Sequence, residues 1–267
     1  MRSVWADRIG IISLFLLVGV FFGRLFYPTP QLIVTPDYGR SDAWHFSFVT
    51  KFALSQALQS HTLPLWRSDV GQGFPLLAEG QTGVFFLPNL VFFSLFEPVT
   101  AYNLTLTLAV LTLGLGIYWW CRVMRLSPLS SWFTAVTVMF SSLTITQLPH
   151  ITLLQGMSML PIIATLSILV VTSKPFPWGG LLALSLSQQI YAGFPQATFL
   201  TLVISGVIVL WLTLPNKNWR AIWYWSISLL LGIGGGAINF CPLGNFLKKA
   251  QVHLVLVLKQ QPCIPCQ

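Results

Sequence analysis

Charge is what this 267-residue chain lacks: only 7% of its residues are Asp, Glu, Lys or Arg, and just six are acidic, where a soluble globular domain carries about a quarter. That shortage excludes an ordinary water-soluble fold. With 55% hydrophobic residues and a mean hydropathy of +0.75, the chain reads as an all-α polytopic membrane protein. A net charge of +8 would suggest nucleic acid in a soluble protein. Here the basic residues sit at the ends of apolar runs, where they orient a chain in a bilayer, so no nucleic-acid partner is expected.

Cysteine is scarce as well. Of the four present, Cys121 and Cys241 end apolar runs, and only Cys263 and Cys266 form a C-x-x-C pair. Without a second pair or a strand-to-helix context, that pair indicates neither a metal nor a redox site. His45, His61, His150 and His253 lack the spacing of a zinc site. There is no P-loop, no G-x-S-x-G and no Ser-His-Asp arrangement, which removes soluble-type ATPase and hydrolase chemistry. Gly71 and Gly73 form only a turn, since a Rossmann fingerprint needs a third glycine and a strand before it. No organic cofactor is indicated, and the need for a divalent metal is left open.

What polarity exists is concentrated between residues 35 and 88. Four of the six acids, Asp37, Asp42, Asp69 and Glu79, fall there; Asp7 and Glu97 are the others. Residues 28–83 read as a large first loop outside the membrane. Within it, residues 41–60 have the composition of a juxtamembrane helix capped by Ser41 or Asp42. Phe46, Val49, Ala53 and Ala57 make one apolar strip; Trp44, Phe48 and Phe52 make another, with Lys51, Ser55 and Gln59 around it. Residues 63–75, with Pro64, Gly71, Gly73 and Pro75, read as irregular loop.

Residues 83–96 are apolar but short and interrupted by Pro88 and Asn89, so a re-entrant or interfacial segment is expected rather than a span. The spans are then residues 9–27, 99–121, 129–148, 151–172, 176–192, 194–214 and 221–240, about seven transmembrane helices. This count puts Arg2, Arg8, Arg122, Arg125, Lys174, Lys217 and Arg220 in the cytoplasm and leaves the turns at His150 and Gly193 free of Lys and Arg. The positive-inside rule is satisfied, with the amino terminus cytoplasmic and the large loop outside. Lys248 and Lys249, outside on this count, run against it. Gly19 and Gly23 form a G-x-x-x-G suited to close helix approach, and Gly232, Gly234, Gly235 and Gly236 suit tight packing of the last span.

On this topology Asp37, Asp42, Asp69, Glu79, His150 and Gln196 share one side of the membrane. Asp37 and Asp42 flank Arg40, and a carboxylate beside a cation suits general-base chemistry on a phosphate-bearing substrate: the acid takes a proton and the arginine holds the anion. A solvated loop with Asp42 as a helix cap fits the same spacing.

The motifs Leu63-Pro64-Leu65-Trp66, Gly73-Phe74-Pro75 and Gln81-Thr82-Gly83-Val84-Phe85-Phe86-Leu87-Pro88-Asn89, followed by His150, Leu160-Pro161 and Ala192-Gly193-Phe194-Pro195-Gln196, together resemble the signature of YfhO-like bacterial membrane proteins of the GT-C glycosyltransferase type. The resemblance implies one GT-C-like membrane domain over residues 1–251 and a divergent tail at 252–267. It implies residence in a bacterial plasma membrane and inverting transfer of a sugar from a polyprenyl-phosphate donor to a cell-envelope glycan or protein acceptor. The base is an Asp of the first outer loop, by position Asp42, with Asp37 as runner-up. Arg40, Lys51 and Arg67 are the candidate phosphate contacts, Trp66 a sugar-stacking or interfacial ring, and Glu79, Gln81, His150 and Gln196 further substrate contacts. Arg67-Ser68 replaces an Asn-Pro common in that family, and the family's chains run well past Pro242, so an amino-terminal fragment is expected. The rival reading is a non-enzymatic lipid-carrier transporter or flippase, or an inactive fragment. A transporter calls for ionisable residues within spans, and the expected spans hold only Arg24.

Overall fold

The computed structural model describes residues 2–33, 41–67, 73–173 and 175–237. Among these residues ten α-helices follow in order: α1 Arg2–Phe22, α2 Phe48–Gln59, α3 Leu87–Leu95, α4 Pro98–Val123, α5 Pro128–Met139, α6 Ser142–Thr146, α7 Ile151–Thr172, α8 Pro175–Tyr191, α9 Pro195–Thr213 and α10 Trp219–Gly236. Among the described residues the only β-pairing is an isolated antiparallel bridge between Arg67 and Phe74.

The helix starts are written into the sequence. Ser127 and Ser141 accept hydrogen bonds from Ser130 N–H (3.1 Å) and Thr144 N–H (3.2 Å), and Asn218 accepts one from Ala221 N–H (3.2 Å). Proline stands in the first turn of α3, α4, α5 and α9, where its missing N–H costs nothing. Pro88 therefore opens α3 rather than interrupting an apolar segment, a correction to the sequence reading. The second cap, Ser141, also divides the single span expected at residues 129–148: α5 stops at Met139 and α6 restarts the helix at Ser142.

Among the described residues five stretches are long and apolar enough to cross a membrane: Val4–Leu25, Pro98–Val123, Pro128–Thr146, Ile151–Thr172 and Pro195–Thr213. Large apolar side chains such as Val20, Phe199, Trp211 and Leu231 point away from the protein, which in water would be a severe liability and in lipid is the expected surface. The protein is membrane-embedded and all-helical.

α7 lies at the centre and is mostly buried, whereas α1 lies at the periphery and is mostly exposed. It packs on α4, α8 and α9, while α8 pairs with α10 and α1 with α4 and α5. Gly116 of α4 lets Pro161 of α7 come close: a Cβ at Gly116 would stand 2.8 Å from the proline ring. The α8–α10 seam runs along Gly232, Gly235 and Gly236, where added Cβ atoms would meet Leu186, Ser187 and Ile190 within 3.0 Å, as expected for three of the four clustered glycines; a Cβ on Gly234 would touch nothing within 4 Å among the described residues. The expected role of Gly19 and Gly23 is not met among the described residues, where a Cβ added at either would touch nothing within 4 Å. Gly10 makes that approach instead, against Tyr118 of α4.

Candidate functional site

α2 is the first element of the site, and the structure decides which of its faces is buried. Ser41 supplies the cap, accepting a hydrogen bond from Ala43 N–H (3.3 Å), and Asp42 makes no side-chain cap bond. A π-helical turn, Ala43–Ser47, leads into α2. The face that packs inward is the polar stripe at Lys51 and Ser55, both fully buried, while Trp44 and Phe52 are 40% exposed. The reason lies in α3, a short helix whose end leaves carbonyls without intrahelical partners in apolar surroundings. α2 provides the donors: Ser55 Oγ reaches Phe93 O (3.0 Å) and Gln59 Nε2 reaches Phe96 O (2.8 Å). Lys51 Nζ donates to Thr82 O at 2.6 Å.

This burial corrects the sequence reading of Lys51 as a phosphate contact, since the amine is enclosed beneath the turn at residues 79–83. Among the described residues no carboxylate pairs with it. Removal from water disfavours the ammonium, and burial pushes Lys51 down to about 7.

The turn above Lys51 joins four helices. Glu79 accepts a hydrogen bond from Gln81 N–H (3.3 Å), capping the short 3-10 turn Gly80–Thr82. Asn89 of α3 donates to Gly83 O (2.9 Å) and accepts from Gln155 Nε2 of α7 (2.9 Å). Leu87 N–H donates to Gln188 Oε1 of α8 (2.8 Å), and the rings of Phe85 and Tyr191 lie 5.7 Å apart. Deeper in the bundle Gln189 donates to Gly156 O (2.8 Å) and Thr201 Oγ1 (2.7 Å). Asn89, Gln155, Gln189 and Thr201 are buried, and each would be costly in apolar surroundings without its partner.

Gly193, at φ +83°, locks the α8–α9 turn onto this one: a Cβ there would fall 1.9 Å from Gly80 O. Gly193→Ala is therefore expected to force the two turns apart and to lower the thermal midpoint in detergent markedly, combining a left-handed backbone penalty of about 1–2 kcal/mol with a backbone clash. Gly180→Ala, on an open face of α8, is the control; its midpoint should hold or rise, because alanine is the better helix former. An unchanged midpoint for Gly193→Ala would show that the turns do not dock.

Of the residues singled out from sequence, the fold joins Asp42 to His150, with Asp42 Oδ2 3.5 Å from His150 Nε2. The carboxylate is well exposed, 69% for its side chain, and the imidazole less so at 45%. His150 Nδ1 is buried and has no hydrogen-bond partner among the described residues. Glu79 is half-buried, and Gln81 and Gln196 are exposed; among the described residues no hydrogen bond or ion pair joins these three to Asp42 or His150. Trp66 lies over Gly73, whose φ of +107° leaves no room for a Cβ beneath the indole. Arg67 Nη1 donates to Val49 O (3.3 Å), tying the loop to α2. Asp37, Arg40 and Asp69 lie outside the described residues, as does the tail at 252–267. Among the described residues no group of three or more His, Cys, Asp or Glu side chains is arranged to hold a metal ion.

One charged cluster went unread in the sequence. Asp7 of α1 accepts from Tyr118 Oη (2.6 Å), Arg122 Nε (2.7 Å) and Arg122 Nη2 (3.2 Å) of α4, while Arg122 Nη1 also donates to Leu126 O. An acid inside the first candidate span was the available signal, because such a residue calls for a partner. The partner stands 115 residues away, beyond any spacing rule. No protein-family model, no curated protein and no solved structure matches the chain.

Proposed function

We propose that this chain is a GT-C-type glycosyltransferase domain that moves a sugar from a polyprenyl-phosphate donor to an extracytoplasmic acceptor. The observation that carries the reading is the Asp42–His150 pair, an exposed carboxylate held 3.5 Å from an imidazole at the start of α7. Asp42 takes the proton of the acceptor hydroxyl as that oxygen bonds to the anomeric carbon. The sugar–phosphate bond breaks with its electron pair leaving on the lipid phosphate, so one displacement inverts the centre. A phosphate is already a competent leaving group, and the reaction needs charge neutralisation there more than a second acid. Lys51 is too deeply enclosed to provide it; Arg40 is the loop cation assigned to that task.

The same proposal takes α8 and α10 as spans. The 18 residues of α10 extend about 27 Å, near the ~30 Å hydrocarbon thickness, and α8, whose helix bends at Phe176, extends about 22 Å from Pro177 to Tyr191, whereas the nine residues of α3 reach only about 14 Å and do not cross. Seven spans with a cytoplasmic amino terminus then set α2, α3 and Asp42 outside a bacterial plasma membrane. In intact cells a membrane-impermeant maleimide is expected to label Gln81→Cys and to miss Ser173→Cys, with the unsubstituted chain as blank. The reverse pattern would place the site in the cytoplasm.

The transporter reading has the Asp7–Arg122 pair in its favour, yet that pair sits at helix ends rather than at mid-span. Transfer itself separates the two. Protein in detergent, given a polyprenyl-phosphate sugar and an envelope acceptor fraction, should release lipid phosphate and form a new glycoside. Carrier movement across proteoliposomes with no glycoside formed would overturn the enzymatic reading.

A further inference from the structure

At the other end of α4 from the outer loop, a groove of about 580 Å³ opens between α1, α4 and α7. Its depth is apolar, made by Ile11, Leu115, Trp119 and Ile162, and its rim carries Asp7, Tyr118 and Arg122. On α4 it runs from Leu115 to Arg122, about 10 Å along the axis, from the helix end down to hydrocarbon depth. α7 approaches α4 closely at Gly116 and so brings Ile162 in as a wall. Ile11, 37% exposed, leaves the groove open to the bilayer.

The rim pair is joined without being used up. Asp7 Oδ1 takes two short bonds, from Tyr118 Oη (2.6 Å) and Arg122 Nε (2.7 Å), whereas Oδ2 takes one longer bond from Arg122 Nη2 (3.2 Å). Arg122 commits three N–H groups, two to Asp7 and one to Leu126 O, and the rest of its five find no partner among the described residues. Both side chains stay partly open, Asp7 at 28% and Arg122 at 27%. A carboxylate oxygen and guanidinium N–H groups are thus free side by side, opposite in charge, at the head of an apolar groove.

We propose that this groove seats one phospholipid whose headgroup carries a primary ammonium and a phosphate, as in phosphatidylethanolamine. The ammonium donates to Asp7 Oδ2, the phosphate accepts from Arg122, and an acyl chain lies along Ile11, Leu115 and Ile162. Charge decides between headgroups. Basic pockets between membrane helices take anionic lipids, but here one acid and one base line the rim, so a zwitterion matches it group for group. An anionic lipid would set its phosphate against the Asp7 carboxylate, and a choline headgroup has no N–H to donate. Two further cations stand off the rim: Arg8 stacks over Trp5 at 5.5 Å and Arg125 is exposed beyond the end of α4, and neither lines the groove. The inference needs only a membrane-embedded chain, and the topology proposed above adds the leaflet, the cytoplasmic one.

The test titrates the full chain in detergent with phosphatidylethanolamine, phosphatidylcholine and phosphatidylglycerol of identical acyl chains, and reads bound lipid by native mass spectrometry. Phosphatidylethanolamine should bind severalfold more tightly than either of the others. Ile11→Trp, which fills the groove, should cut that binding severalfold, while Ile12→Trp, at a 59% exposed position beside it, should not. Asp7→Asn keeps an acceptor for Tyr118 but loses the charge, and should turn the preference towards phosphatidylglycerol. If that variant fails to fold, the lipid order of the wild-type chain and the two isoleucine variants still decide. Phosphatidylcholine or phosphatidylglycerol binding as tightly as phosphatidylethanolamine, equal binding by the two isoleucine variants, or a folded Asp7→Asn with the wild-type order would each overturn the assignment. No sugar donor enters the measurement. Selective binding by a chain that transfers no sugar would therefore uphold the groove and sink the transfer reading, and transfer by a chain without lipid preference would do the reverse.

Discussion

Asp42→Asn is expected to lower sugar transfer by about a hundredfold or more, the usual loss on removing a general base and equal to about 2.7 kcal/mol of activation free energy. Asparagine keeps the shape and the hydrogen-bonding capacity of the side chain but takes no proton. The fold separates this effect from a structural one. Ser41, not Asp42, caps the helix entry, and the contact of Asp42 with His150 is between exposed groups, where an ion pair is worth about 0–1 kcal/mol. Expression, membrane insertion and thermal midpoint should therefore stay within about 1 kcal/mol of wild type, while initial rates with a polyprenyl-phosphate sugar collapse. Parallel measurement of Asp37→Asn divides the outcomes. Full activity in Asp42→Asn with loss in Asp37→Asn moves the role to Asp37, and retained activity in both removes this acidic pair from the mechanism.

Much of the architecture was legible because lipid imposes a simple grammar. Long apolar runs became helices, Ser127 and Asn218 before them became caps, and the glycines at 232, 235 and 236 became a packing seam. Even so, the break at Phe140–Ser141 escaped the hydropathy pattern, because both halves are apolar and only a local cap interrupts them. The site was legible at the level of which turns share an end of the bundle, since alternation of spans fixes that. Which side chains touch was not. Lys51 meets Thr82, Asn89 meets Gln155 and Leu87 meets Gln188 across separations of 31, 66 and 101 residues, and no periodicity links them.

Polarity alone left the buried face of α2 undecided. In water, a stripe of Lys51, Ser55 and Gln59 at four-residue spacing marks the solvated face and the aromatic residues the buried one. Beside lipid the exposed carbonyls of a short helix demand donors, and aromatic rings are welcome outside. Lys51 and Ser55 accordingly turn inward, Gln59 bonds Phe96 O from an exposed position, and Trp44 and Phe52 turn outward. A polar residue within apolar surroundings is thus better read as half of a hydrogen bond whose other half lies elsewhere in the chain. Asp7 and Arg122 follow the same rule at the other end of α1 and α4.

Lys51→Met is expected to remove a pH dependence of stability that the wild-type chain carries. In the folded protein burial holds the amine near 7, against an ordinary value of 10.5. Between those values the unfolded chain binds a proton that the folded one does not, so stability rises with pH across the window and is flat with respect to this group below about pH 7. The full shift corresponds to roughly 5 kcal/mol, and the part released between pH 7 and pH 9 to roughly 2 kcal/mol. For a chain of this size that is about 4–8 °C in thermal midpoint. Methionine keeps the buried stem and takes no proton; it forfeits the bond to Thr82 O, at a cost of about 1–3 kcal/mol for a carbonyl left unpaired. Wild type in detergent should therefore gain several degrees relative to Lys51→Met as pH rises from 7 to 9, whichever of the two is the more stable at pH 7. Parallel midpoints over that range would show that the amine stays charged and solvated, and that α2 does not present its polar stripe to the turn above it.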